Sequence, residues 1–183
     1  MQKKMRFFLC KVIAITVLAI PSAVWGQSAP TTAEGFVNRG LEYAKQGDMD
    51  RALADFDQAI KVNSNYAIAY VYRGRTYSAK GDSDRAIADY SQAIKLSPNN
   101  SQAYDLRAYE YMQKKDYDRG IADCTKAIEL DPKNEYAYAN RGLMYRLKGL
   151  DQAIADYEAA LRIDPNFTFA KNELEKARQQ RRQ

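Results

Sequence analysis

The most regular charged residues in the chain are four arginines, each followed by an aspartate fifteen or sixteen positions later. The pairs are Arg39 with Asp55, Arg73 with Asp89, Arg107 with Asp123, and Arg141 with Asp156. An acid–base row is one interpretation, but arginine stays protonated and cannot act as a base. We therefore predict structural ion pairs between two helices of each copy. The alternative that the sequence leaves open is pairing with an aspartate of a neighbouring copy.

Other reactive residue types are scarce. The 183 residues include no histidine, which removes the commonest general base and metal ligand. The two cysteines, Cys10 and Cys124, are too few for a disulfide framework or a cysteine-rich zinc site. No glycine-rich phosphate loop is present, and we interpret Cys124 as a small buried hydrophobe. We expect no enzymatic activity, no metal site and no cofactor.

The elements that carry these residues are repeated. "RAIADYSQAIKLSP" starts at Arg85, and related segments start at Arg51, Arg119 and Gln152, with spacings of 34, 34 and 33 residues. Each is preceded by a segment such as "YVYRGRTYSAKGD", which begins at Tyr70. The apolar spacing predicts a helix, a short turn and a second helix in every copy.

A 34-residue helical pair with Gly, Tyr, Ala, an aromatic residue and Pro at these places resembles the tetratricopeptide repeat. The resemblance implies an all-α fold, a right-handed α–α superhelix. Repeats are expected at 33–66, 67–100, 101–134 and 135–167, followed by a capping helix and basic tail at 168–183. We therefore predict nine helices after the leader, because a repeat array needs a polar-backed cap at its end.

The repeat pattern also predicts how each helical pair packs. Small residues allow a close crossing: Gly40 with Ala52, Gly74 with Ala86, Gly142 with Ala153, and, reversed, Ala108 with Gly120. Phe56, Tyr90 and Tyr157 fill the space beside it, whereas Cys124 leaves repeat 3 less filled unless Tyr117 leans in. Gly47, Gly81 and Gly149 end the first helices, where a left-handed residue is usual, and Lys115 takes that place in repeat 3.

The first residues differ from the rest of the chain. A basic start, the apolar run 12–20 and small residues before Gln27 have the layout of a secretory signal peptide over 1–26, with a short linker at 27–32. We expect export to the periplasm or the medium; an uncleaved membrane anchor is the alternative. The leader carries four of the five net positive charges, so the near-neutral remainder gives no reason to expect a nucleic-acid partner.

The resemblance implies that the first helices line a concave groove that holds a peptide or helix of a partner protein. Carried over by position, the groove residues are Val37, Leu41, Ile68, Val71, Tyr72, Arg75, Asp105, Tyr109, Met112, Tyr136, Leu143 and Arg146. Apolar residues with Tyr and Arg at intervals are typical of a binding surface. At the centre, either Arg75 pairs with Asp105 and neutralises it, or both meet a partner.

One subclass of the family grips a C-terminal carboxylate with Lys and Asn at fixed groove positions. Those positions here hold Val37, Leu41, Tyr72, Asp105 and Tyr109, so we do not expect recognition of acidic chaperone tails. We expect an exported adaptor that binds a protein segment. The alternative is a structural protein that associates with itself.

Overall fold

The computed structural model describes residues 30–149 and 151–182, and within these ranges the chain is all-helical. The described residues form nine helices: α1 Ala33–Lys45, α2 Met49–Val62, α3 Ala67–Ala79, α4 Ser83–Leu96, α5 Ser101–Gln113, α6 Tyr117–Leu130, α7 Glu135–Leu147, α8 Gln152–Ile163 and α9 Thr168–Arg181. The predicted signal peptide 1–26 and the first part of the linker lie outside the described residues. None of the described helices is long and apolar enough to cross a membrane.

The helices form four consecutive hairpins, and the ninth packs on the last of them. Each helix contacts the next helix in the chain, and the first helices α1, α3, α5 and α7 also contact one another in sequence, with α9 continuing the row. Within the described ranges the second helices α2, α4, α6 and α8 do not contact each other. The first helices therefore form the inner wall of a curved array, which is the geometry of a helical solenoid.

The turns follow the predicted chemistry. Gly47, Gly81 and Gly149 follow the first helices with φ between +71° and +80°, and Lys115 takes the same left-handed conformation with φ of +60°. Side-chain caps begin three of the second helices, where the aspartate carboxylate accepts a backbone N–H three residues later; these are Asp48, Asp82 and Asp116. Each cap satisfies one of the backbone donors that a helix start leaves unpaired.

The close crossing inside a hairpin depends on a glycine against an aromatic ring. A Cβ at Gly40 would lie 2.7 Å from the Phe56 ring, and one at Gly74 would lie 2.7 Å from the Tyr90 ring. In repeat 3 the space beside Cys124 is filled by Met144 of the following repeat, with Tyr117 packed at the edge of the same cluster. The predicted gap in this core is therefore closed mainly from the neighbouring hairpin.

All four predicted ion pairs are present. In each, Nε and Nη2 of the arginine donate to both carboxylate oxygens of the aspartate in the same hairpin, at 2.6–2.9 Å. The remaining Nη1 reaches the second helix of the preceding hairpin, from Arg73 to Asp57, from Arg107 to Ser91 and from Arg141 to Thr125. Arg73 therefore makes both contacts that the sequence allowed: it binds the aspartate of its own hairpin and an aspartate of the preceding hairpin.

Candidate protein-interaction pocket

The inner wall contains an open pocket between α3, α5 and α7, with a cavity volume of about 420 Å³. We call it the central pocket. Its lining residues are Arg75, Ser78, Ala79, Tyr90, Asp105, Leu106, Tyr109, Tyr136 and Asn140. Tyr109 and Tyr136 are 42% and 57% exposed, which is high for large aromatic side chains. Exposed aromatic surface inside a concave site is a feature that many binding sites share.

The two central charges do not pair with each other. The guanidinium of Arg75 lies over the ring of Tyr72, 5.9 Å from its centroid. Nδ2 of Asn140 donates a hydrogen bond of 3.0 Å to the Asp105 carboxylate. Within the described part of the chain, Arg75 and Asp105 form no ion pair within 4.0 Å, so the predicted mutual neutralisation is not how either group is satisfied.

Asp105 stands at a position that other hairpins fill with apolar residues. The corresponding residues Val37, Val71 and Ala139 are all buried. Burial raises the pKa of Asp105 above its ordinary value, and the hydrogen bond from Asn140 lowers it in part. A carboxylate at this place costs folding free energy, whereas the four aspartates at the hairpin crossings each receive two bonds from an arginine.

A second carboxyl group lies beside the central pocket. Glu110 on α5 is only 2% exposed, and it accepts a hydrogen bond from the Ser78 hydroxyl on α3. Burial, and secondarily the Glu110 carboxyl, raise the pKa of Tyr90 above its ordinary value. Sequence reasoning missed Ser78, Tyr90 and Glu110 as groove residues. The same helix position holds Glu42 in hairpin 1, Thr76 in hairpin 2 and Met144 in hairpin 4, so Glu110 has no distinctive signal in the sequence.

Five predicted groove residues contribute to packing. Val37 and Val71 are 2% and 4% exposed, so the prediction that they line an accessible groove is wrong. They face the cores between hairpins, because this helix position points toward the neighbouring first helix. Leu41 and Met112 pack at the edges of two cores. Arg146 is bound to Glu173 of α9 at 2.9 Å and thus helps to hold the last helix.

The other predicted groove residues lie nearer to solvent. Ile68 is 45% exposed on α3, and Leu143 on α7 is partly buried. Tyr72 is partly buried and stacks on Phe56 with ring centroids 6.1 Å apart. Replacing Tyr72 would therefore loosen the core. Tyr109 and Tyr136 are more exposed and test the pocket better, although the Tyr136 ring also packs edge to face on Phe167 with centroids 5.1 Å apart. Of the twelve predicted residues, the central pocket brings together Arg75, Asp105, Tyr109 and Tyr136.

The described residues offer little to metal chemistry or nucleophilic chemistry. No group of three potential metal-ligating side chains occurs among them. Cys124 is fully buried, and burial raises the pKa of its thiol well above the ordinary value. A thiol in that state is a poor nucleophile. The groups that line the central pocket are aromatic rings, hydrogen-bonding side chains and two charged residues.

Solved structures with the same fold include proteins that bind peptides. A crystal structure of MamA matches with a TM-score of 0.75 and 23% identity, over 81% of this chain and 82% of that chain, which shows the fold alone. The first tetratricopeptide domain of Spaghetti (RPAP3), bound to the HSP90 peptide SRMEEVD, matches with a TM-score of 0.63 and 31% identity, over 66% and 97%. The second domain of human RPAP3, in complex with the HSP70 peptide SGPTIEEVD, matches with a TM-score of 0.59 and 33% identity, over 61% and 94%.

Family models give the same assignment from the sequence. Models of the tetratricopeptide repeat match residues 37–101, then residues 101–134 and 136–167. A comparison with curated proteins found no match. Because the matched segments together span well over half of the 183 residues and the fold is a helical solenoid, the chain belongs to the tetratricopeptide repeat family.

Proposed function

We propose that this chain is an exported protein-interaction module that holds an extended or helical segment of a partner protein in the central pocket. The observation that carries the proposal is the exposure of Tyr109 and Tyr136 in a pocket lined by three first helices and by Tyr90 of α4. Tyrosine is among the residues that most often dominate binding energy at interfaces. The peptide complexes of the similar RPAP3 domains support the same kind of role.

The partner proposed here differs in chemistry from the chaperone peptides. Both of those peptides end in acidic residues. At the positions where the carboxylate-gripping subclass has Lys and Asn, this chain has a buried Val37, and it has the acidic Asp105 in the pocket. A like charge would repel an acidic tail. We therefore expect the pocket to bind internal segments and not an acidic C-terminus.

The test compares capture by two immobilised variants of residues 27–183. Tyr109→Ala combined with Tyr136→Ala removes the exposed aromatic faces, and Val62→Ala, on α2 and also exposed, is the matched control. Proteins of the exported fraction are quantified by mass spectrometry after capture. We expect the pocket variant to capture at least about tenfold less of a specific partner than the parent does, because truncating each hot-spot residue costs roughly 1–3 kcal/mol of binding free energy. Val62→Ala should capture as the parent does.

Both tyrosines are substantially exposed, so the pocket variant should keep its helical content, with a small fall in melting temperature from the lost edge-to-face contact of Tyr136 with Phe167. Far-ultraviolet circular dichroism checks both before capture. Equal capture by the parent and the pocket variant would place binding elsewhere on the molecule. Self-association stays a prediction, and light scattering over a range of concentrations measures it in the same preparations.

A further inference from the structure

We propose that the central pocket selects a lysine or arginine side chain from the bound segment. This inference rests on the proposed function, because it names the chemistry that the same pocket recognises. The ammonium or guanidinium group would approach the Asp105 carboxylate, and its methylene stem would lie along the rings of Tyr109 and Tyr136.

The first argument is the state of the Asp105 carboxylate. Its hydrogen-bond donor in the described structure is the neutral amide of Asn140. Asp55, Asp89, Asp123 and Asp156, which are buried, each receive two hydrogen bonds from an arginine. Asp105 is a partly buried carboxylate that lines an open pocket and lacks the cation that the others have. A cation supplied by a ligand would complete it as arginine completes the others.

The second argument is the charge of the surroundings. The charged residues that line the pocket are Asp105 and Arg75, and the buried Glu110, which binds the lining residue Ser78, adds a second formal negative charge behind the wall. The Arg75 guanidinium lies over the ring of Tyr72, which is also on α3. The lining residues and Glu110 together carry a net negative formal charge, and a basic side chain fits these surroundings better than an acidic one.

The third argument is the aromatic wall. Asp105 and Tyr109 are four residues apart on α5, so they share one helix face. Tyr136 on α7 lines the same pocket and is the most exposed of the large apolar side chains in the described residues. Tyrosine faces attract cations, and the attraction grows when the site is partly desolvated. A pocket that combines a carboxylate with two exposed tyrosines is suited to a long side chain with a cationic end.

The experiment starts from a phage-displayed library of random dodecapeptides, selected on immobilised residues 27–183 and counter-selected on the Tyr109→Ala, Tyr136→Ala variant. We expect the enriched peptides to share a lysine or arginine at one position. One peptide is then synthesised with that lysine and with norleucine in its place. Norleucine keeps the apolar stem and removes the charge.

Both peptides are titrated against the parent, Asp105→Asn and Asp118→Asn by calorimetry. The norleucine substitution should weaken binding to the parent by at least about tenfold, and binding to Asp105→Asn by less than about twofold. Asp118 lies on α6 in an exposed pair with Lys148, so Asp118→Asn should respond as the parent does. Asp105→Val, which copies the residue of hairpins 1 and 2, gives a second test if the asparagine variant folds poorly.

The outcomes separate this inference from the proposed function. Peptides that need Tyr109 and Tyr136 but carry no shared basic residue would leave the interaction pocket in place and overturn the cation preference. The cation preference is also overturned if the norleucine substitution weakens binding to the parent and to Asp105→Asn equally. A selection that yields no peptide dependent on the two tyrosines would overturn both proposals.

Discussion

Lys115 has the left-handed backbone conformation that glycine adopts in the other three turns. A residue with a Cβ pays roughly 1 kcal/mol for this conformation. We expect Lys115→Gly to raise the free energy of unfolding by up to about 1 kcal/mol, measured as the midpoint of urea denaturation. Gly81→Ala is the matched control in the opposite direction, since nothing lies within 4 Å of the added methyl group and only the conformation is penalised. An unchanged midpoint for both variants would contradict the argument.

Asp105 should make stability depend on pH in a defined direction. Burial raises the pKa of Asp105 in the folded chain, whereas the unfolded chain keeps an ordinary value of about 3.9. Above the folded pKa the carboxylate is charged in both states, and the folded state bears the full desolvation cost. Below the unfolded pKa it is protonated in both states and the cost disappears.

We therefore expect Asp105→Asn to melt at a higher temperature than the parent at pH 7. The advantage should shrink as the pH falls and vanish near pH 3, because the substitution keeps an acceptor for Asn140 and removes only the charge. Melting curves of both proteins at several pH values measure this difference. A variant that is less stable than the parent at pH 7 would mean that Asp105 is already compensated in the free protein.

At the level of single residues, the sequence predicts the contacts that recur in every repeat. It predicts poorly the contacts of a residue that differs between repeats. The arginine–aspartate pairs recur in all four hairpins, so their partners could be inferred from spacing alone. An acid at the position of Asp105 occurs in one hairpin alone, and the surroundings of Asp105 and Glu110 depend on Asn140 and Ser78 from neighbouring hairpins. Contacts between residues more than 30 positions apart leave no local pattern in a single sequence.

The ion pairs act at the level of helices, because each joins the two helices of one hairpin and three of them reach the hairpin before. The Asp123 side chain is 9% exposed and that of its partner Arg107 is 18% exposed. Asp123→Ala leaves the guanidinium largely buried without its carboxylate, so we expect a loss of about 3 kcal/mol in the free energy of unfolding. Urea denaturation followed by circular dichroism measures it.

The exposed lysine–aspartate bonds between hairpins provide the control. Asp118 is 83% exposed in its pair with Lys148. Asp118→Ala should therefore cost less than about 1 kcal/mol. If the two alanine variants lose equal stability, burial is not what distinguishes the pairs.

The helices themselves could be placed from the sequence, but the face of each first helix could not be fully assigned. Val37 and Val71 share one helical position with Asp105 and Ala139. This position lies at the boundary between the inner wall and the contact with the next first helix, and the spacing of apolar residues does not distinguish the two. The crossing of neighbouring hairpins decides it, which buries the valines and leaves Asp105 at the edge of an open pocket.

For the whole molecule, the last helix limits how far the array can extend. Arg146 of α7 binds Glu173 of α9, which is 6% exposed and also receives Lys176. Glu173 occupies the helix position of Tyr72, Leu106 and Asn140, so α9 continues the row of first helices. In α9 this position makes a contact within the protein, with Arg146 of α7. The central pocket thus lies between hairpins with a neighbour on each side, where a bound segment is best enclosed.

Export is a further proposal about the whole molecule, because it determines the compartment in which the protein would meet a partner. Four basic residues, an apolar run over 12–20 and small residues before Gln27 support cleavage at that point. We expect N-terminal sequencing of the protein from the exported fraction to begin at Gln27. Replacing Gly26 with a bulky residue, Gly26→Leu, should slow cleavage and accumulate the longer form, whereas the same change at Gly35, beyond the leader, should leave the cleavage unaffected. Recovery of an intact Met1 in the membrane fraction would instead support the uncleaved anchor.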